Sequence, residues 1–277
     1  MCGRYAATAN PDELVLEFEV EEDRTDEPGR SVLASPQEPP AGRPDHNMAP
    51  TKQAPVVLTR APRSDRTARP VRQLRLLTWG LVPGWSKDDR GAARRVNLRV
   101  ESVADKYARA LASRRCLVPA RGWYEWQASP TASDLSGKPR KQPFFTTRAD
   151  GGAVAMAGLY ELWRDPAVSD ARDPMAWLAT FAVLTGPAEP GLDRIHERQP
   201  LVLDPEDWGA WLAPEVGAAD ALALLAPHEP GRFVAHPVTR AVGSNRANGA
   251  RLLEPLPASE LVGVVDPTTG ELLGGTG

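Results

Sequence analysis

The chain has 277 residues, of which 42% are hydrophobic and 25% are charged, and its formal net charge is −3. This balance is typical of a globular protein and excludes collagen-like, coiled-coil and wholly disordered chains. No apolar run approaches the roughly 20 residues that a membrane-spanning helix needs, so an integral membrane protein is excluded as well.

The first predicted elements are an N-terminal strand and a capped helix. The opening residues MCGRYA have the composition of a strand, and a helix is predicted from Pro11 through about Phe18. Asn10 is a favoured N-cap residue, Pro11 fits the first helical position, and Glu13 is the acid expected at N3. Residues 21–45 are acidic and Pro-rich, so they are predicted to be an insertion or loop.

The later elements predict a mostly antiparallel sheet. Segments rich in branched and aromatic residues predict strands over residues 73–82, 116–126, 143–147, 154–162, 177–185, 199–203 and 232–238. Apolar residues at helical spacing predict helices over residues 99–113, 205–212 and 218–225. Because strands and helices do not alternate regularly, we expect an α+β fold whose sheet curls into a barrel-like shape with flanking helices. A single domain is expected over residues 1–255, followed by a C-terminal tail over residues 256–277.

The charge is unevenly distributed, and the middle of the chain is basic. Residues 60–121 carry 14 Arg and 2 Lys against 5 acidic side chains, whereas residues 1–45 carry 4 basic and 11 acidic side chains. Guanidinium groups match phosphate geometry, so the basic stretch favours nucleic-acid binding. Trp79 and Trp85 lie in this stretch, and exposed tryptophan rings are surfaces on which single-stranded bases stack, although most tryptophans are core residues.

Cys2 follows the initiator methionine directly. If Met1 is removed, Cys2 carries an α-amine and a thiol on neighbouring atoms, and an amine with a pKa of about 7.7 to 8 is partly neutral at pH 7. Such an amine forms a Schiff base with an aldehyde, and the thiol then closes onto it as a thiazolidine ring. The alternative is a tolerated small residue at a frayed end. The chain has only two cysteines, Cys2 and Cys116, which are too few for a disulfide framework or a thiolate zinc site.

Other polar residues are candidates for proton transfer or for positioning a substrate. Glu125 lies in the strand-like GWYEW, where it is either exposed or buried with the raised pKa that suits general acid/base catalysis. His196 is either a proton shuttle near neutral pH or an ordinary loop histidine, and Arg198 is a candidate phosphate ligand. Asn97 either caps the following helix or contacts a reacting group, and Arg99 is either a DNA contact or a solvated surface charge.

No motif for a cofactor is present in the sequence. Neither GxGxxG nor GxxxxGK occurs, which argues against a nucleotide cofactor, and no metal-ligand spacing is found. The N-terminus lacks the basic and apolar regions of a secretory signal, so we expect a cytoplasmic protein.

Seven longer motifs follow one another along the chain. They are MCGRY, NMAPT, LTWGLVPGW, NLRVES, RRCLVPARGWYEW, IHERQPLVL and VTRAVGSNRANG. In this order they resemble the SOS response-associated peptidase (SRAP) family of abasic-site processing proteins. The resemblance implies a barrel-like α+β fold and a sensor of abasic sites in single-stranded DNA. It further implies that Cys2, after Met1 removal, forms a covalent thiazolidine crosslink that protects the abasic site in the DNA damage response, with abasic-site lyase and N-terminal autopeptidase activities as additions.

The resemblance also assigns roles to individual residues. It implies catalytic roles for Cys2, Asn97, Glu125 and His196, and DNA contacts for Arg4, Trp79, Arg99, Thr185 and Arg198. The expected partners are single-stranded DNA containing abasic sites and replication-fork proteins, with no membrane, metal or other cofactor. In a bacterium the protein would associate with the nucleoid.

Some features depart from the family pattern or leave another function open. Gln199 and Gly243 replace the residues usual at those positions, and the insertion over residues 21–45 is longer than expected. Class II glutamine amidotransferases also begin with Met-Cys-Gly, and a noncovalent reader of modified DNA and a true peptidase acting on its own N-terminus are further alternatives. A boil-resistant adduct with abasic DNA distinguishes the covalent function from all three.

Overall fold

The computed structural model describes residues 2–61, 65, 67–170, 172–227 and 229–274. The strands, numbered along the chain, are β1 (Arg4–Ala7), β2 (Glu22–Asp23), β3 (Asp45–Met48), β4 (Gln53–Arg60), β5 (Val71–Trp79), β6 (Asn97–Arg99), β7 (Arg115–Ala120), β8 (Gly122–Ser133), β9 (Pro139–Arg148), β10 (Val154–Arg164), β11 (Trp177–Pro187), β12 (Arg198–Pro200), β13 (Val202–Leu203), β14 (Phe233–Pro237), β15 (Val264–Val265) and β16 (Leu272–Leu273). The α-helices are α1 (Pro11–Glu17), α2 (Val100–Lys106), α3 (Ala108–Ser113), α4 (Pro205–Leu212) and α5 (Ala218–Ala223).

Five strands of the larger sheet close into a barrel. The hydrogen-bonded order is β11-β10-β7-β4-β5, and β5 returns to pair in parallel with β11 through Thr78 opposite Thr180 and Trp79 opposite Phe181. The short strand β6 also pairs in parallel with β11, and β12 pairs with the end of β11. Closure removes the free edges that an open sheet would expose. The expected α+β fold with a barrel and flanking helices is confirmed.

The main core follows from the alternation of side chains along the barrel strands. Val56 and Leu58 of β4 point into one buried cluster with Trp79 and Cys2, whereas Val57 between them packs on the other side against the helices. On that outer side, Phe18 stacks on Trp208 of α4 with ring centroids 4.3 Å apart. The helices therefore cover the outer face of the barrel.

A second sheet of five strands lies beside the barrel in the order β14-β9-β8-β1-β3. In its centre, β8 lies between β1 and β9, with Arg4 opposite Tyr124 and Glu125 opposite Phe144. Trp123 packs into the same cluster as Cys2, and Tyr124 packs into a separate cluster on the opposite face. This register brings the N-terminal residues next to Glu125.

The predicted strand over residues 116–126 is in fact two strands in different sheets. β7 belongs to the barrel and β8 to the second sheet, and the chain crosses between them at Arg121. A Cβ on Gly122 would lie 2.3 Å from the Thr146 carbonyl oxygen, so the start of β8 approaches β9 more closely than a larger residue permits. The uninterrupted apolar pattern conceals this crossing because both strands are buried.

Other elements differ from the prediction in smaller ways. The helix expected over residues 99–113 is α2 followed by α3, broken at Tyr107, whose φ of −134° is not helical. The strands β3 and β4 were not predicted, and in β4 the residue Pro55 argues against a strand in the sequence pattern. The first helix has the expected cap, because Asn10 Oδ1 accepts from the Glu13 N–H at 3.0 Å and Glu13 returns a bond to the Asn10 N–H.

The acidic insertion over residues 21–45 lies against the barrel. Its strand β2 pairs in parallel with β5, and Arg30 forms salt bridges with Asp89 at 3.1 Å and Asp165 at 2.5 Å. Acidic residues of the segment 19–27 form ion pairs with Arg69, Arg72 and Arg75. Part of the basic stretch is therefore neutralised within the molecule.

The segment expected as a C-terminal tail is folded as far as it is described. Its strands β15 and β16 form an antiparallel hairpin, and Leu261 and Val264 are buried against Phe144 and Ile195. Within the described part of the chain, no helix is both long and apolar enough to cross a membrane.

Candidate active site

Cys2 is buried immediately before β1. Its thiol is fully inaccessible and donates to the Arg4 carbonyl oxygen at an Sγ to O distance of 3.6 Å. Burial raises the pKa of this thiol strongly, and the Glu125 charge raises it further. The sulfur is therefore held as a thiol, and a base must take its proton when it reacts.

Asn97 contacts Cys2 directly. It lies on β6, where it pairs with Val183 of β11, and its Nδ2 donates to the Cys2 carbonyl oxygen at 2.6 Å. Its Oδ1 is buried and accepts no hydrogen bond from the residues that the structure describes. The helix-cap alternative is wrong, because the N-cap of α2 is Arg99 and no side chain caps it. Asn97 thus fixes the Cys2 backbone and leaves one acceptor for another group.

Glu125 is buried beside this pair, with 5% of its surface exposed. Burial raises its pKa from 4.5 to about 7. The surface-acid alternative is therefore wrong. A carboxyl with this pKa is present in both protonation states near neutral pH, which suits a group that gives and takes a proton.

His196 lies in a turn after the 3-10 helix Leu192–Arg194, and it is half-buried. Its Nδ1 lies 3.2 Å from the Arg198 carbonyl oxygen and 3.1 Å from the Arg198 backbone nitrogen, and the neutral tautomer with the proton on Nδ1 donates to that oxygen and leaves Nε2 unprotonated. Burial lowers the pKa of His196, which favours this neutral form. The ring is thereby a base near neutral pH.

Thr185 lies near the end of β11 and Arg198 begins the adjacent strand β12, and both are buried rather than free for DNA. Arg198 donates to both carboxylate oxygens of Glu101 at 2.9 Å and to the Thr185 carbonyl oxygen at 2.6 Å. The Thr185 side chain is fully buried beside Leu98. Arg198 thus joins β12 to α2 and β11, a bidentate pairing that a phosphate would have to displace. Sequence reasoning missed Glu101, although it lies in the NLRVES motif.

Arg4 and Arg99 differ in how they are held. Arg99 is exposed and forms no salt bridge within the described chain. Arg4 donates to Asn47 Oδ1 at 2.8 Å and to the Val242 carbonyl oxygen at 3.1 Å. Asn47, which sequence reasoning also missed, donates to the carbonyl oxygens of Val242, Ser244 and Ala247. The NMAPT motif and the late VTRAVGSNRANG motif therefore meet around Arg4.

The structure corrects the role of Trp79. This ring has no exposed surface, it packs edge-on against Tyr5 at 5.0 Å between centroids, and its Nε1 donates to the Val96 carbonyl oxygen at 2.9 Å. Trp79 belongs to the barrel core and cannot stack on a base. Trp85 in the same motif is 74% exposed, and the Arg95 guanidinium lies over its ring at 5.9 Å. The exposed aromatic surface is thus six residues further along the chain.

The structure therefore brings Cys2, Asn97 and Glu125 together and places His196, Arg198 and Thr185 around the end of the neighbouring strand β11. Among the residues described, no three His, Cys, Asp or Glu side chains cluster in a way that would hold a metal ion. The assembled groups are a thiol, a carboxyl of pKa about 7, an imidazole and an amide. They can transfer protons and position an N-terminal nucleophile.

Comparison with known proteins gives consistent matches. The model of a family described as "SOS response associated peptidase (SRAP)" matches residues 1–245. The "Abasic site processing protein YedK" of Escherichia coli is 31% identical over 261 residues, covering 92% of this chain and all of the relative. The mouse "Abasic site processing protein HMCES" is 29% identical over 293 residues, covering 92% of this chain and 76% of the relative. A crystal structure of a protein from Bacteroides thetaiotaomicron shares the fold, with a TM-score of 0.66 at 19% identity over 92% of this chain and all of that chain.

Proposed function

The chain belongs to the SOS response-associated peptidase family, and from that premise we propose that it processes abasic sites in single-stranded DNA by crosslinking itself to them through Cys2. Relatives over most of its length carry the name abasic site processing protein. The observation that carries the proposal is the contact of Asn97 with Cys2 beside a buried Glu125.

The first step is opening of the abasic sugar. An abasic deoxyribose is mostly a closed hemiacetal, and an amine can attack it only after the ring opens to the aldehyde. Glu125 protonates the ring oxygen while a base takes the hydroxyl proton, and the neutral His196 imidazole is that base. A carboxyl with a pKa of about 7 is protonated in an appreciable fraction of molecules at neutral pH, as this step requires.

The second step is capture of the aldehyde. After Met1 removal, the Cys2 α-amine adds to the aldehyde carbon, and the carbinolamine loses water to give an imine. The Cys2 sulfur then adds to the imine carbon, and its thiol proton is transferred to the nitrogen as the thiazolidine ring closes. Asn97 holds the Cys2 backbone during both additions. Ring closure removes the imine, and with it the route to β-elimination and strand breakage, so the abasic site is protected.

DNA binding around this site rests on exposed groups. Arg99 is the exposed cation two residues after Asn97, and Trp85 is the exposed aromatic ring. A cation for the phosphates and a ring for a base are the usual elements of single-strand binding. Slow strand cleavage and removal of Met1 by the protein itself would be additional activities of the same groups.

Incubation with a single-stranded oligonucleotide containing one abasic site, followed by boiling in detergent and a denaturing gel, tests the proposal. We expect a shifted adduct with the native protein and none with Cys2→Ala. Cys116→Ala is the matched control, because this second thiol is equally buried but lies in the barrel. An equally stable adduct in Cys2→Ala contradicts the covalent role, noncovalent retention without an adduct indicates a reader, and ammonia release from glutamine indicates an amidotransferase.

A further inference from the structure

We propose that the C-terminal hairpin, residues 261–273 and here called the strap, holds the turn that carries His196 in position, with Gln127 and Arg194 as the positioning residues. The inference rests on the proposed function, since it concerns the placement of a proton-transfer group. The strap lies beyond residue 245, where the family match ends.

The His196 turn has little regular structure of its own. The Ile195 and His196 N–H groups both donate to the Leu192 carbonyl oxygen, at 2.9 and 3.1 Å, and β12 begins only at Arg198. A turn of this kind does not fix a side chain as a strand does. Contacts from outside the turn must therefore fix the ring relative to Glu125.

Gln127 links three parts of the structure at one point. It lies two residues after Glu125 on β8 and is almost fully buried. Its Nε2 donates to the Arg194 carbonyl oxygen at 3.1 Å and to the Val265 carbonyl oxygen at 2.9 Å, while its Oε1 accepts from the Val265 N–H at 2.7 Å. One side chain thus connects the strand of Glu125, the turn of His196 and the strap.

Arg194 and Ile195 make the second connection. Arg194 Nη1 donates to the carbonyl oxygens of Pro267 at 2.6 Å and Thr268 at 3.3 Å. The Ile195 side chain is buried with Leu261 and Val264 of the strap. The two residues that precede His196 are therefore bound to the strap, one by hydrogen bonds and one by packing.

The strap is itself rigid enough for this purpose. The Asp266 N–H donates to the Glu271 carbonyl oxygen at 2.8 Å, and Asp266 Oδ1 accepts from the N–H groups of Thr268 and Thr269 at 2.7 and 3.0 Å. These bonds close the loop whose carbonyl groups receive Arg194. A displacement of about 1 Å at a catalytic group can cost about a hundredfold in rate, so the strap has a kinetic consequence although it supplies no reacting atom.

The experiment compares two buried glutamines on paired strands of the full-length protein. Gln127→Met removes the connection, and Gln142→Met is the matched control, because Gln142 is opposite Gln127 but donates to the carbonyl oxygens of Pro143 and Val238. We expect Gln127→Met to slow crosslinking at saturating abasic DNA by about 10- to 100-fold with unchanged Kd, and Gln142→Met to keep the parental rate. Equal slowing in both variants would show a general loss of stability and overturn the proposal.

A second measurement does not depend on DNA chemistry. NMR titration of the His196 ring in the DNA-free protein should show a higher pKa in Gln127→Met than in the parent, because a loosened ring gains water and loses the burial that lowers its pKa. The N-terminal amine, the Arg198 backbone, Glu197 and Lys141 also act on this ring, and none of them is changed. An identical His196 pKa in parent and variant overturns the proposed positioning role of the strap. If the His196 pKa differs between parent and variant as expected but the parent forms no adduct, the proposed function is contradicted and the positioning role of the strap is not.

The exposed Arg194 provides a further pair should Gln127→Met fail to fold. Arg194→Met should slow crosslinking and raise the His196 pKa, as Gln127→Met does. Arg194→Lys should show smaller changes in both the rate and the pKa, because lysine keeps a donor for the Pro267 carbonyl oxygen. Absence of any effect in Arg194→Met, or equal loss in both variants, contradicts the positioning role.

Discussion

Replacing Glu125 with glutamine should slow capture of abasic sites and, in the same molecule, increase stability at alkaline pH. The substitution keeps the size and a hydrogen-bonding head group but removes the transferable proton. If Glu125 protonates the sugar ring oxygen, adduct formation should fall by about 10² to 10⁴, the usual contribution of general acid/base catalysis. Affinity for the DNA should be unchanged, because glutamine keeps the size of the side chain and its capacity for hydrogen bonds.

The stability effect follows from the pKa of the buried carboxyl. Burial raises this pKa from 4.5 to about 7, so between these values the folded protein binds more protons than the unfolded chain. The free energy of unfolding of the parent should therefore fall as pH rises from about 4.5 to 7, by about 3 kcal/mol in total. Glutamine carries no charge to bury, so Glu125→Gln should lack this fall and be the more stable protein above pH 7.

Two assays test this prediction. Single-turnover crosslinking is followed on denaturing gels, with a closed abasic site and with an acyclic aldehyde that bypasses ring opening. Glu125→Gln should react more slowly than the parent with the closed abasic site and at the parental rate with the acyclic aldehyde. Urea unfolding at pH 4 and pH 8 measures the stability. Glu161→Gln is the matched control, since Glu161 is another buried carboxyl, on β10, paired with Arg114, and should leave the crosslinking rate unchanged.

A parental rate in Glu125→Gln would refute the catalytic assignment, and equal slowing on both substrates would place Glu125 in imine formation instead. Unfolding curves of parent and variant that remain parallel from pH 4 to pH 8 would refute the raised pKa itself. The crosslinking rate and the pH dependence of stability are measured separately, so either result can contradict its own prediction alone.

The remaining predictions concern DNA binding. Trp79→Ala should lower the free energy of unfolding by about 3 to 5 kcal/mol in urea titrations, since a fully buried ring is lost. Trp85→Ala should keep the parental stability and weaken single-stranded DNA binding by about 1 to 3 kcal/mol in fluorescence anisotropy, and the reverse pattern would contradict the corrected assignment. Arg99→Ala should weaken binding and reduce the slope of log K against log salt by about 1, with the crosslinking rate at saturating DNA unchanged; an unchanged slope would exclude a phosphate contact.

Local sequence patterns determined much of this protein. The cap of α1 could be predicted because Asn10, Pro11 and Glu13 interact within a single turn. The barrel strands β5, β7, β10 and β11 could be located because each buries branched residues, whereas β4 was not predicted because Pro55 interrupts its pattern. The residues Cys2, Asn97 and Glu125 were candidates because their chemistry is visible in the sequence, and the structure brings them together.

Only the tertiary structure decided which of two similar side chains in one motif is buried. Trp79 and Trp85 are alike in sequence, but closure of β5 onto β11 encloses one ring and leaves the other in solvent. Glu125 is buried because it shares a face of β8 with Trp123, which packs into the cluster that contains Cys2. The basic stretch is partly neutralised by an acidic segment about 50 residues away, and the end of the chain folds onto the His196 turn. These outcomes depend on pairings between distant segments, and a local pattern carries no information on which segments will meet.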